Sequence, residues 1–413
     1  MNGLKQLSVR KCSYFQVFVL FELCIISLFA IWNTILHGAP LNSLMLSSDG
    51  QFNDYFMHVG YASAPWGTNV YDFSTSACFP PLAYLMYGML ARIAGYKAID
   101  PADIPSHKFV GNNLTIFVIY SIICIVLCIY AISLYQKKKG FVYQVLFPCI
   151  LIVSYPFAFS SIQRGNSVLL VAVLMSIALI WKDDSSKLKR ELAMIIIAIC
   201  AGLKIYPAIF GLMYIKEKRI AETIRLAIYG IILFFVPFIF FGGLAGLQSF
   251  LNTVLNLNGE IHRCSVSGFV EMITLKMFGV TIPKLTFLAQ HMFLLVSVIA
   301  FFMCKEKWKG ILILCCVMAA YISSSWMYTC IYILPAMLMF FYTKDNKPIK
   351  INKSNWDDII AFFLFMITFC IPIRQNYEFI YDSIIVLDAI FMIKIIISFF
   401  LNIKSRKKKN QQV

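Results

Sequence analysis

Residues 114–139 read LTIFVIYSIICIVLCIYAISLYQKKK. A spanning helix needs about 20 apolar residues, and the stretch from Leu114 to Tyr135 supplies them without a charge. The triple lysine Lys137-Lys138-Lys139 then closes it. Cytoplasmic loops carry an excess of Lys and Arg, so this segment runs from outside to inside. That single orientation fixes the direction of every neighbouring segment.

The rest of the chain has the same character. Of its 413 residues, 60% are hydrophobic and 14% charged, with a mean hydropathy of +0.77. A soluble domain of this length has no place to bury so much apolar surface. The net charge of +16 falls in short runs between apolar stretches, such as Lys216-Glu217-Lys218-Arg219 and Lys404-Ser405-Arg406-Lys407-Lys408-Lys409. That is the positive-inside pattern. No compact basic domain is present, which argues against nucleic acid as a partner.

Threading outward from residues 114–135 gives an alternating path. Residues 13–32 form a first span behind Lys5, Arg10 and Lys11 and read as a retained signal anchor, with the N-terminus inside. Residues 33–113 then form a large first outer loop. Within it Phe52, Tyr55, Phe56 and Val59 recur at helical spacing, predicting an amphipathic interfacial helix. Residues 82–93 follow Pro80-Pro81 and are too short to span with ease. Residues 191–215 have basic loops at both ends, so they must enter and leave on one side. Lys204-Ile205-Tyr206-Pro207 lies in the middle, where proline disfavours helix before it, predicting two short helices meeting there. A second outer loop covers residues 242–284, and a basic cytoplasmic tail covers 404–413. The whole chain, 1–413, reads as one integral membrane domain with about twelve transmembrane or partly spanning helices. The fold class is an all-α polytopic membrane protein.

The outer face collects polar residues. Asp49, Asp54, His58 and Asp72 come from the first loop, and Gln163, Arg164 and Asn166 from a helix turn. Lys204 and Tyr206 come from the short hairpin, and Glu260, His262 and Arg263 from the second loop. Trp326, Tyr328, Arg374, Tyr377 and Glu378 follow. Cations are disfavoured in short outer loops, so their presence suggests an anionic ligand such as a phosphate headgroup. Asp54 and His58 stand at i and i+4. A carboxylate just above the bilayer is placed to take a proton from a sugar hydroxyl. The plainer reading makes Asp54 a solvated polar-face residue and His58 an interface residue. Arg164-Gly165-Asn166 is equally readable as a simple turn, and Lys204 as a snorkelling lysine. Asp49 reads as a helix cap and Asp72 as a turn former. Glu22 and Asp388 are charges inside predicted spans. Lys394 is six residues from Asp388, off its helix face. Most of the 13 cysteines lie in apolar runs, while Cys78 and Cys264 fall in outer loops where pairing is open. No cysteine–histidine spacing suits a metal.

The motifs in order are Asp54-Tyr55, Val70-Tyr71-Asp72, Phe79-Pro80-Pro81-Leu82, Arg164-Gly165-Asn166, Gly202-Leu203-Lys204-Ile205-Tyr206-Pro207, and an aromatic turn from Trp326 to Pro335. Their order and spacing resemble glycosyltransferase family 87, within the multispanning GT-C class, which includes polyprenyl-phosphate-mannose-dependent mannosyltransferases. The resemblance implies inverting transfer from a polyprenyl-phosphate sugar donor to a glycolipid or glycan acceptor at the outer face of the cytoplasmic membrane. It implies Asp54 as general base and no cofactor or metal. Arg164 and Lys204 fall within matched motifs as candidates to hold the phosphate, with His262 and Arg263 as further cations. His58, Asn166 and Tyr206 complete the expected substrate-binding set. Many relatives carry Gln where this chain has Asn166. The polar cluster also suits two other classes, a polymerase using diphosphate-linked donors and a lipid or sugar transporter. The first places arginine-rich sites in later loops, and the second calls for internal repeats that this chain lacks.

Overall fold

The computed structural model describes residues 12–46, 50–97, 103–257, 261, 264–323, 326–344, 349, 355–371 and 377–410. A capping box opens the first helix, α1 (Tyr14–Ile35). Ser13 Oγ accepts from the Gln16 N–H at 3.3 Å, and the Gln16 side chain accepts from the Ser13 N–H at 3.0 Å. The segment between α1 and the next long apolar helix carries α2 (Asn53–Ala62) and α3 (Pro81–Ala94), the latter started by proline and stopped by Gly95 in the left-handed region. The stretch that decided the orientation is α4 (Asn113–Tyr135). After it come α5 (Val142–Val153), the π-helical α6 (Tyr155–Ile162), α7 (Val168–Trp181), α8 (Lys187–Leu203) and α9 (Gly211–Lys216). Next are α10 (Ile220–Phe235), α11 (Gly243–Leu257), α12 (Val266–Phe278) and α13 (Pro283–Met303). The last four are α14 (Lys307–Ala320), α15 (Leu334–Lys344), α16 (Trp356–Cys370) and α17 (Tyr377–Asn410). No β-strand occurs among the described residues.

The protein is an all-α multi-pass membrane protein. Among the described residues, five helices are long and apolar enough to cross a bilayer: α1, α4, α10 extended to Phe240, α13, and Ile380–Leu401 of α17. The pair α5 and α6, bent by 48° at Ser154, makes a sixth if it is one broken span. The other expected crossings rest on shorter helices. Helix α14 has 14 residues, about 21 Å of rise, and residues 310–320 are buried at every position. Such a helix meets neighbouring helices instead of lipid, so the length rule does not bind it.

The bundle has two distinct ends. At one, the start of α1 meets the close of α15 and the start of α16, through Tyr14 against Phe340 and Phe362 with ring centroids 5.2 Å apart. Charges gather there. Lys182, fully buried, pairs with Asp183 and Glu217, and Lys307 pairs with Asp183. Lys344 pairs with Asp358 at 2.8 Å, and Asp357 is shared by Lys309 and Lys394. Lys394 is therefore committed to Asp357, while Asp388 sits fully buried beside Cys316.

Helix α8 leaves this basic end and stops at Leu203. The chain turns at Lys204 through the 3-10 turn Tyr206–Phe210, and α9 brings Lys216 back to the basic end, where its ammonium donates to the carbonyls of Phe301 and Cys304. The hairpin expected from the proline is thus present. Helix α2 differs from a helix lying on a surface. Tyr55, Phe56 and Val59 are buried on one side, and Asp54 and His58 are also buried, on the side facing a cleft. A stripe of apolar residues reports one packed face and carries no information about protein covering the other. No disulfide joins Cys78 and Cys264. Cys78 lines the cleft, and Cys264 lies in an apolar cluster with Met327, Cys330 and Tyr381.

Candidate active site

The cleft begins where α2 starts. Phe52 adopts the left-handed conformation, φ +57°, just before the helix. Its N–H donates to the Gln163 carbonyl at 2.6 Å, and the Asp54 N–H donates to the Arg164 carbonyl at 3.1 Å. The first N–H groups of a helix have no partners within it. Here the backbone of the turn between α6 and α7 supplies them, so the two segments form one rigid wall. Gly165 makes the approach possible. Its φ is +76°, and a Cβ there would lie 2.7 Å from Tyr55 Cβ. Arg164-Gly165-Asn166 is therefore a docking surface as well as a turn.

Both oxygens of Asp54 are engaged from that turn. Arg164 Nε lies 2.6 Å from Oδ1, an ion pair without the alignment of a good hydrogen bond. Asn166 Nδ2 donates to Oδ2 at 2.7 Å. Asn166 Oδ1 accepts from the Val168 N–H at 3.2 Å, an Asx-type turn leading into α7. That bond fixes which way the amide faces, and its NH2 is left to hold the carboxylate. Asn166 is 2% exposed and Asp54 5%.

Opposite stands Lys204, at the break after α8 and outside the spanning helices. Gly202 lets α8 close on α3, since a Cβ there would lie 2.6 Å from Leu82 Cδ2. That contact sets Lys204 beside Phe79, with Nζ 3.3 Å from the ring centroid. Lys204 is 6% exposed, and no carboxylate lies within ion-pair distance among the described residues. Burial lowers its pKa to about 8, with Cys78 and Asp54 opposing that shift. A desolvated ammonium with no ion-pair partner is costly, and an anion nearby relieves the cost.

Asp54, His58, Arg164, Asn166, Lys204 and Tyr206 all line one cleft of about 330 Å3, together with Phe79, Trp326 and Tyr328. His58 stacks on Phe79 at 3.7 Å, and its Nδ1 shares a 3.1 Å hydrogen bond with the Tyr84 hydroxyl. Burial holds its pKa well below the ordinary histidine value, and Lys204 and Arg164 push the same way, so its imidazole is neutral. The Arg164 guanidinium lies 6.0 Å from the Trp326 ring centroid. Tyr84, Met57, Val254 and Ile322 are neighbours or lining that the sequence reading did not single out. Their apolar or aromatic character carries no mark distinguishing them from core residues.

Other expected residues stand apart. His262, Arg263, Glu260, Asp49 and Arg374 lie outside the described residues. Asp72 ends a 3-10 turn and accepts from Ser249 Oγ at 2.9 Å, which ties α11 to the first loop. Glu22 borders a different cavity. Among the described residues no three His, Cys, Asp or Glu side chains come together as a metal site.

Across the cleft, a buried carboxylate gripped by an arginine and an amide faces an ammonium with no carboxylate partner among the described residues. Residues 78–325, more than half of the chain, match glycosyltransferase family 87, and the protein belongs to that family. It is a membrane glycosyltransferase. Phe79, Arg164, Asn166, Lys204 and Tyr206 fall inside the matched stretch, whereas Asp54 and His58 precede it. Searches of the curated proteins and of the solved structures each returned no match.

Proposed function

We propose that the protein is a GT-C enzyme that moves a sugar from a polyprenyl-phosphate donor to a glycolipid or polysaccharide acceptor. It acts at the outer face of the cytoplasmic membrane, with both termini cytoplasmic. The basic end of the bundle carries the loops expected inside, and the cleft lies at the other end. Mannose is the first donor sugar to test.

The observation that carries this reading is the charge arrangement of the cleft. Asp54 is held by Arg164 and Asn166, while Lys204 stands buried beside Phe79 without a carboxylate partner among the described residues. In the reaction, Asp54 takes the proton from the acceptor hydroxyl. The acceptor oxygen attacks the anomeric carbon, and the carbon–oxygen bond to phosphate breaks on the opposite side, inverting the centre. The electron pair leaves with the polyprenyl phosphate, which gains one negative charge. Lys204 and Arg164 are the cations beside that developing charge. Arg164 serves two anions in turn. Without donor it neutralises Asp54, and the donor phosphate competes for it, leaving Asp54 Oδ1 free to accept a proton.

The test is donor choice in proteoliposomes. Purified protein is given matched radiolabelled sugars on polyprenyl monophosphate, on polyprenyl diphosphate and on a nucleotide, with a mixed lipid and glycan acceptor extract. Transfer from the monophosphate alone is expected. Equal transfer from the nucleotide sugar without added lipid donor overturns the reading, and preference for the diphosphate moves the protein to the polymerase type.

A further inference from the structure

A second cavity, of about 160 Å3, lies between α1, the break at Ser154 that separates α5 from α6, and the end of α16. Glu22, Ser154, Tyr155 and Cys370 contribute its polar groups, and Ile26 and Phe29 are among its apolar lining. Glu22 is 3% exposed. The Cys370 thiol meets its carboxyl, yet Oε2 has no hydrogen-bond partner among the described residues. Ser154 Oγ donates to the Leu151 carbonyl at 2.6 Å, so its lone pairs remain available as acceptors. Among the described residues no cation lines the cavity.

A carboxyl with an orphan oxygen inside hydrocarbon costs several kcal/mol unless a donor reaches it. The occupant must therefore bring a hydrogen-bond donor. It must also come from the bilayer, because Ile25, Ile26 and Phe29 of α1 are half-exposed on the lipid-facing side and Val153 is exposed. An anionic headgroup is disfavoured beside a carboxyl with no cation nearby. A cavity of about 150 Å3 takes a benzene-sized body, so this one takes a hydroxyl and a few carbons, with the remaining chain extending into lipid.

We propose that this cavity is a binding site for a neutral membrane lipid bearing a free hydroxyl, which donates to Glu22. Its position adds a consequence. The π-helical α6 stands between this cavity and the cleft. On one side Tyr155 and Phe159 border the cavity, and on the other Ser160 Oγ donates to the Met327 carbonyl at 3.4 Å, next to Trp326 of the cleft. Helix α6 leads directly into Arg164, so the lipid braces the segment that presents the arginine. This site does not depend on the donor assigned above.

The experiment uses the full chain in proteoliposomes with a photoactivatable long-chain alcohol, its methyl ether and the matching primary amine. Crosslinked peptides are mapped by mass spectrometry. The alcohol is expected to label residues 22–29 and 153–159, and excess unlabelled diacylglycerol to displace it. Labelling should fall about fivefold for the ether and for Glu22→Leu, the loss of roughly one hydrogen bond, while Glu22→Gln retains most of it. Ile26→Trp, which fills the cavity, should abolish labelling in protein whose thermal melt is unchanged. Equal labelling by the ether, or labelling indifferent to both Glu22→Leu and Ile26→Trp, overturns the site. Stronger labelling by the amine than by the alcohol overturns the assignment to a neutral lipid.

Discussion

Asp54 and Arg164 are joined twice. The Asp54 N–H donates to the Arg164 carbonyl at 3.1 Å, and Arg164 Nε lies 2.6 Å from Asp54 Oδ1. The backbone link fixes where the carboxylate stands, and the side-chain link decides when it is available. In the proposed reaction the donor's phosphate takes the arginine over, which frees Oδ1 to accept the proton.

Arg164→Gln should therefore separate binding from position. The backbone link survives the substitution, so α2 stays docked. The donor loses one of its two cations, and transfer should fall about 100-fold, mainly through weaker donor binding. Initial rates across a donor series, read as KM and kcat separately, check this. A variant with unchanged donor KM contradicts the phosphate role.

Lys204 predicts an alkaline limit. Its folded pKa of about 8 lies below the ordinary 10.5, so the ammonium is charged below pH 8 and neutral above it. Donor affinity should decline above about pH 8, and Lys204→Met should flatten that limb while lowering affinity throughout. The same shift has a stability sign. Between about pH 8 and 10.5 the unfolded chain binds the proton that the folded chain has lost, so this residue adds stability as pH rises through that window. Melting curves of wild type and Lys204→Met at pH 7.5 and 9.5 measure the difference.

Much of this site was legible in the sequence. The order of Asp54, Arg164-Gly165-Asn166 and Lys204 along alternating spans places all three at one end of the bundle, and the cleft gathers them. The helical spacing of Tyr55, Phe56 and Val59 gave α2. What was hidden is pairwise. Nothing in the local pattern says that Asn166 accepts from the start of α7 with one atom and holds Asp54 with the other, or that Gly165 must admit Tyr55. These follow from contacts across more than 100 residues of chain. The deep burial of His58 was hidden for the same reason. The shorter crossings were legible as apolar runs but not by length, because α14 is sheltered by protein.

Gly165→Ala should damage the site through the backbone. The residue is left-handed, and a Cβ would stand 2.7 Å from Tyr55 Cβ. A strained dihedral and a steric clash together cost roughly 2–4 kcal/mol. Fluorescence-detected size-exclusion melts should show the loss, and Tyr55→Gly, which removes the opposing Cβ, should cost less in the Gly165→Ala chain than in wild type. A melt indistinguishable from wild type contradicts the close docking of α2 on this turn.

The central claim is that Asp54 removes the acceptor's proton. The most direct measurement is sugar transfer from a labelled polyprenyl-phosphate donor in proteoliposomes, comparing wild type with Asp54→Asn at matched reconstitution and matched melting temperature. Asparagine keeps the shape but cannot take the proton. Transfer should fall about 100- to 10,000-fold while the donor still binds. Wild-type transfer by a well-folded Asp54→Asn contradicts the account.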